Sequence, residues 1–274
     1  FMNQSIDLLL QGGTILTLDN GLRVLEGQAI AIDQGQILDI FDPREKSYQA
    51  RRTLDTSNCI VMPGLINAHT HLPMSYFRGQ KDDLPLQTWL HDFIWPLEAK
   101  MLKSDFISQA ALHGAAEMIK NGITQIHDMY FDMPAVANAC SQAGLRAIIG
   151  EAVLEGNSGT REAPLGSKVL ELRQRYANDP LLDFNLAPHS IYACSEKTLR
   201  ECAEAAARHG ILLHTHLSET RGEVEDCLKA HGLKPVPYLQ KVGILELPAL
   251  YAHGVWTDPD EIALLAANPA SVAI

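Results

Sequence analysis

Two patterns of hydrophobic spacing divide the chain. Between residues 5 and 56 the apolar residues come in short runs closed by turn signals. Ile6 to Leu10 precedes Gly12-Gly13, Thr14 to Leu18 precedes Asp19-Asn20-Gly21, Gln28 to Ile32 precedes Gln34-Gly35, and Ile37 to Ile40 follows. Such runs predict short strands joined by tight turns, and residues 1–58 are read as a small β domain. From Cys59 onward the pattern becomes amphipathic helix, Gly-containing turn and short apolar strand in repetition, the signature of parallel α/β architecture.

Counting the units of residues 59–274 gives strand one at Ile60 to Asn67 and a helix over Asp105 to Lys120, capped by Ser104 and stopped at Asn121-Gly122. Strand two, Ile123 to Asp128, leads to a helix over Pro134 to Gln142 and strand three, Leu145 to Val153. A helix over Ser167 to Tyr176 precedes strand four, Leu182 to Pro188; Ser195 then caps a helix to His209, and strand five is Ile211 to Leu217. Helical segments at Arg221 to Ala230 and Val236 to Val242 lead to strand six, Ala249 to Gly254, and a helix over Pro259 to Ala267 reaches the opening of strand seven at Ser271 to Ile274. Six units and a start suit a (β/α)8 TIM-type barrel cut short. An open doubly wound sheet has the same count, but no Gly-rich phosphate loop marks a switch point for it. The long irregular stretches, Leu72 to Lys103 and Leu154 to Leu165, are read as binding loops or lids.

Composition narrows the partner. The chain has 274 residues, 46% of them hydrophobic, a formal charge of −11 and a pI near 5.4. That balance disfavours nucleic acid and anionic membranes, which need clustered Lys and Arg, and favours a small molecule. Nowhere do the roughly 18 consecutive apolar residues of a membrane span occur. Cys59, Cys140, Cys194, Cys202 and Cys227 are scattered and odd in number, so reduced thiols and a cytoplasmic location are expected. Homo-oligomerisation is left open.

The chemistry lies at strand ends. Pro63-Gly64-Leu65-Ile66-Asn67-Ala68-His69-Thr70-His71 ends in two histidines one residue apart, which in a strand share a face about 7 Å apart and form half a metal site. Strand five ends His214-Thr215-His216-Leu217-Ser218-Glu219, adding His216 as a third ligand and Glu219 as a carboxylate near activated water. His214, one pleat deeper, is read as a buried partner. His253 closes strand six and His189 strand four, on the rim where barrel active sites form. Strand four carries no lysine to bridge two metals, so a mononuclear site is the simpler inference. His127 and Asp128 end strand two, either behind the site or capping the next helix.

These residues resemble the amidohydrolase superfamily, and within it the 5′-methylthioadenosine/S-adenosylhomocysteine deaminase and chlorohydrolase-like group. The likeness rests on P-G-L-I-N-A-H-T-H at 63–71, M-S-Y-F-R-G at 74–79, D-D-L-P-L-Q-T-W-L at 82–90, I-W-P-L-E at 94–98, G-I-T-Q-I-H-D-M-Y at 122–130 and H-L-S-E-T at 216–220. It implies a barrel with an appended β-sandwich, of which residues 1–58 would be the N-terminal part. It also implies one divalent metal, Zn²⁺ or Fe²⁺, and hydrolytic loss of ammonia from an adenosine-type nucleoside. By resemblance His69, His71 and His216 are metal ligands, Glu219 is the proton shuttle to a ring nitrogen, and His253 orients the attacking water. Glu98 would hold ribose hydroxyls, His189 and Trp89 would contact substrate, and Arg161 would meet a homocysteine end. Other outcomes of the resemblance are a guanine or 8-oxopurine deaminase, a triazine chlorohydrolase, or an inactive truncated fragment. The superfamily takes a last ligand, an aspartate, from strand eight, and no residue here is assigned to that role. The sequence is therefore expected to be a fragment of a longer enzyme.

Overall fold

The computed structural model describes residues 5–155 and 163–274. The chain divides into two compact units, 1–64 and 65–274.

The first unit holds β1 (Ser5–Gln11), β2 (Thr14–Leu16), β3 (Val24–Leu25), β4 (Ala29–Asp33), β5 (Gln36–Phe41), β6 (Gln49–Asp55) and β7 (Ile60–Val61). One sheet runs β5-β4-β1-β6 and a second β3-β2-β7. Gln34 and Gly35, both at positive φ, close the two-residue turn between β4 and β5, the backbone hand that matches strand twist. Its core is small: Ile6, Ala29, Ala31 and Phe41, with Tyr48 edge-on to Phe41 at 5.0 Å.

The second unit begins with β8 (Leu65–Thr70), a 3-10 turn at Leu72–Phe77, α1 (Leu86–Trp89), a wide π-type turn at Leu90–Ile94 and α2 (Trp95–Met101). It continues through α3 (Ser104–Lys120), β9 (Ile123–Tyr130), α4 (Met133–Ala143), β10 (Arg146–Val153), α5 (Ser167–Arg175), β11 (Leu182–Pro188) and α6 (Glu196–His209). It ends with β12 (Leu213–Leu217), α7 (Arg221–His231), α8 (Pro235–Lys241), β13 (Ala249–His253), α9 (Pro259–Ala266) and β14 (Ala270–Ala273). Strands β8 to β14 pair in chain order, all parallel, with helices in every crossover. This is the barrel arrangement, in which the C-terminal strand ends share one face. Ile126, Ile149, Phe184, Leu186, Leu213 and Tyr251 are buried in one core with residues of the helices, among them Val136, Leu172 and Leu199.

Three local expectations change. The strand expected over 60–67 is two strands: Ile60–Val61 pairs with β2, and the barrel strand starts at Leu65. Pro63 has no N–H to give a ladder, and with Gly64 it separates them. Ser104 does not cap α3 but lies inside it; Lys103 is the cap residue, and the Ser104 hydroxyl donates to Asp132, whose other oxygen accepts from Ala135 N at the start of α4. The stretch 72–103, expected to be irregular, is largely helical, because Phe77, Leu90 and Ile94 bury together against Trp89, Trp95 and Phe106.

Several other helix ends follow their side chains. Ser195 Oγ accepts from Thr198 N at 3.2 Å to open α6, and Gly210 at φ 61° closes it. Asp258 and Glu261 form a reciprocal capping box on α9. None of the five cysteines is in a disulfide. Among the described residues no helix is long and apolar enough to cross a membrane.

Candidate metal centre and active site

The C-terminal ends of β8, β11, β12 and β13 bring five histidines together. The rings of His71, His216 and His253 lie 4.8, 4.8 and 5.2 Å from that of His69, and His189 stands 4.4 Å from His216. Each of the three proposed ligands is gripped through its Nδ1. His71 Nδ1 donates to the Met129 carbonyl at 2.6 Å, His216 Nδ1 donates to the His189 carbonyl at 2.7 Å, and His69 Nδ1 meets His214 Nε2 at 3.0 Å. The inward nitrogens of His69, His71 and His216 converge within 4.8 Å of one another.

This donor set fits a metal ion on its own geometry. A carbonyl only accepts, so His71 and His216 must carry their protons on Nδ1, which leaves a lone pair on each Nε2. Those two Nε2 atoms face each other at 3.3 Å. A proton is a poor remedy, because burial and the neighbouring imidazoles hold both rings below the usual histidine range, His216 well below it. Burial and the neighbouring imidazoles of His71 and His214 push His69 down to about 2. A cation resolves the opposition: two ligands at about 2.0–2.1 Å in tetrahedral geometry stand about 3.3–3.4 Å apart.

Glu219 follows the β12 end. Ser218 has φ 47°, a strained value for a residue with a side chain, and it turns the chain toward the rim. The bend is clamped by Glu223 of α7, whose buried carboxylate accepts from Ser218 N and Glu219 N, each at 2.9 Å. Glu219 Oε1 lies 3.7 Å from His253 Nε2, and burial raises its carboxyl above the usual glutamate range. His253 itself sits at φ 80°. Burial pushes His189 down to about 4.

A cavity of about 280 Å³ opens on this cluster, lined by His69, His71, His189, His216, Glu219 and His253 on one side and by Trp89, Ile94, Trp95, Glu98 and Tyr130 on the other. Glu98 is buried, accepts from Tyr130 Oη at 2.6 Å, and has its carboxyl raised by burial. Eight of the nine residues singled out in the sequence therefore line one cavity, and Arg161 lies outside the described residues. The same fold segment that holds His71 is tied to β9: the Asp128 carboxylate, raised to about 7 by burial, accepts from Leu72 N at 2.6 Å. Asp128 thus backs the site and Asp132 caps the next helix.

Sequence reasoning passed over Glu223, Tyr130 and the Met129 carbonyl. Thr220-x-x-Glu223 has capping-box spacing and was the available signal for Glu223. A backbone carbonyl leaves no signal at all.

The amidohydrolase family model matches residues 60–274. The chain belongs to the amidohydrolase family. A 5-methylthioadenosine/S-adenosylhomocysteine deaminase of Thermodesulfovibrio yellowstonii is 40% identical over 92% of this amidohydrolase and 59% of its own length. A 5′-deoxyadenosine deaminase of Methanopyrus kandleri is 37% identical over 94% of this chain and 60% of its own. The chain thus spans about three fifths of the curated relatives it matches. Among solved structures, a zinc-bound adenosine deaminase of Xanthomonas campestris matches with TM-score 0.90 and 30% identity over 98% of this chain and 62% of its own. A guanine deaminase of C. acetobutylicum shares the fold at TM-score 0.83 and 20% identity, over 96% of this chain and 66% of its own.

Proposed function

We propose that this amidohydrolase contributes the metal centre and substrate wall of a hydrolytic deaminase acting on adenosine-type nucleosides. The observation that carries the reading is the pair of opposed lone pairs on His71 and His216, with His69 completing the set and Glu219 and His253 beside it. His69, His71 and His216 would hold one divalent ion, Zn²⁺ before Fe²⁺ given the zinc-bound relative. When bound, such an ion supplies Lewis acidity that brings proton loss from water toward neutral pH.

The chain's own residues supply the proton traffic. Glu219 takes a proton from the attacking water and delivers it to the ring nitrogen next to the amino-bearing carbon. A carboxyl raised above the usual glutamate range by burial is suited to both halves of that transfer. His253, held neutral by burial, accepts a hydrogen bond from the same water and orients it. A carbon–oxygen bond forms; the second water proton passes from the new hydroxyl to the exocyclic amine as the carbonyl forms, the carbon–nitrogen bond breaks, and ammonia leaves. Glu98 accepts from the ribose hydroxyls, His189 donates to the purine, and Trp89 packs on the ring system. Arg161 is proposed to meet the end of a longer 5′ substituent.

Three names support the nucleoside class: the two deaminases of 40% and 37% identity and the adenosine deaminase structure. The test is ammonia release by the zinc-reconstituted protein from 5′-methylthioadenosine and from S-adenosylhomocysteine. Release from either supports the class. Turnover of guanine or a chlorotriazine with neither nucleoside hydrolysed overturns it.

A further inference from the structure

We propose that His214 is a positioning residue that sets the tautomer and direction of His69, and that it is the one adjustable grip in the centre; this rests on His69 being a metal ligand. His71 and His216 are held by carbonyls, which dictate a proton on Nδ1. His69 is held instead by an imidazole, fully buried on β12, whose Nε2 lies 3.0 Å from His69 Nδ1 with the two rings perpendicular. An imidazole nitrogen either donates or accepts. If His214 Nε2 donates, His69 carries its proton on Nε2 and points an N–H at the centre. If His214 Nε2 accepts, His69 turns a lone pair to the centre like its two neighbours. Only the second arrangement makes three equivalent donors.

The second arrangement makes a demand on the far side of the His214 ring. The proton of His214 then sits on Nδ1, and that atom is buried without a hydrogen-bond partner. Behind it the ring of His127 stands at 6.4 Å and 85°, with its own Nδ1 buried and unpartnered. The carbonyl-held ligands show no such open end. His214 is therefore placed to answer what is bound at His69 by its choice of tautomer, and His127 is the next group to feel that choice.

The experiment measures zinc affinity of the full 274-residue chain by competition with a chromophoric chelator, for wild type, His214→Leu and His214→Gln. Loss of an outer partner of a metal-bound histidine typically weakens binding by about 10- to 100-fold. His214→Leu is expected to show that loss, with thermal unfolding of the metal-free protein close to wild type. His214→Gln, whose side-chain carbonyl still accepts from His69 Nδ1, is expected to recover most of it. A residue that merely fills space would give the opposite ranking. In zinc-loaded wild type, two-bond ¹H–¹⁵N spectra are expected to show His214 protonated on Nδ1 and bare on Nε2, a measurement that decides the question even if His214→Leu does not fold. Wild-type zinc affinity in His214→Leu, no advantage of Gln over Leu, or a protonated Nε2 on His214 would overturn the proposal. A wild-type chain that binds no zinc overturns the metal centre itself, so the two failures are distinguishable.

Discussion

The histidine rim and the wall that carries Trp89 and Glu98 line the same cavity but are built differently. The rim stands on the ends of parallel strands, and each of its three proposed ligands is tied through Nδ1 to another strand end: His71 to β9, His216 to the residue that follows β11, and His69 to β12. The wall stands on a short stack of helical pieces between β8 and α3, where α1 has four residues and runs through a wide π-type turn into α2. Pro96, near the start of α2, cannot donate to a helical ladder, and wide turns of this kind absorb such a break. Among the described residues the Glu98 carboxylate accepts one side-chain hydrogen bond, from Tyr130. The difference separates two tasks. Groups that hold an ion and move a proton need fixed positions, whereas a wall that selects substrate only needs the right surface. Substitutions on the rim are therefore expected to change metal content or kcat, and substitutions on the wall to change KM.

The largest effect that tests this division is Glu219→Gln. Removing a positioned acid-base group is expected to lower kcat by about 10²- to 10⁴-fold, with zinc stoichiometry and KM close to wild type. Full turnover would remove Glu219 from the reaction. Next is Glu223→Gln, which touches no substrate. Its amide accepts from only one of Ser218 N and Glu219 N and turns an N–H₂ toward the other. An unsatisfied buried donor costs about 1–3 kcal/mol, and displacement of Glu219 is expected to lower kcat by up to about 10²-fold. Steady-state kinetics with metal analysis checks both; a fall in zinc content with kcat per zinc unchanged would show that Glu223 serves the ion and not the proton path.

Legibility of the molecule follows the same division. His69, His71, His216 and Glu219 were readable because strand periodicity and barrel topology put strand ends on one face, and periodicity is a property of the local sequence. The barrel strands and the caps at Ser195 and Gly210 were readable for the same reason. Trp89 and Glu98 of the wall came from the family resemblance, but its helical form was not readable, because Phe77, Leu90 and Ile94 become helical by burying against Phe106, a contact that local spacing does not encode. The split of the strand at Pro63-Gly64 was encoded, but the apolar run on both sides concealed it. Ser104 fitted a cap by type, yet its hydroxyl is drawn to Asp132, 28 residues away.

A smaller effect probes the seam between rim and wall. Gly114 of α3 lies under the 3-10 turn that follows His71, and a Cβ there would meet Leu72 Cδ1 at 2.8 Å and Leu72 O at 2.9 Å. The backbone oxygen cannot yield as a side chain does. Gly114→Val is expected to destabilise the fold by about 1–3 kcal/mol through overpacking, seen as a lower unfolding midpoint in urea at constant slope. It is also expected to weaken zinc binding, because Leu72 N is the group that Asp128 holds beside His71. Lost stability with unchanged zinc affinity would show that the seam does not transmit to the rim.

The smallest expected effect is on the wall itself, in Tyr130→Phe. Burial raises the Glu98 carboxyl, and the Tyr130 hydroxyl opposes that by donating to the ionised form. Removing the hydroxyl removes the opposing influence, so the Glu98 carboxyl moves further up. A protonated Glu98 is the weaker acceptor for ribose hydroxyls, and KM rises as pH falls through its titration. In Tyr130→Phe that rise is expected to begin at higher pH than in wild type, while kcat at saturating nucleoside and zinc affinity stay put. The sign is the informative part: a limb displaced to lower pH would mean that Tyr130 favours the neutral carboxyl, and a kcat that follows KM would mean that wall and rim do not divide the work.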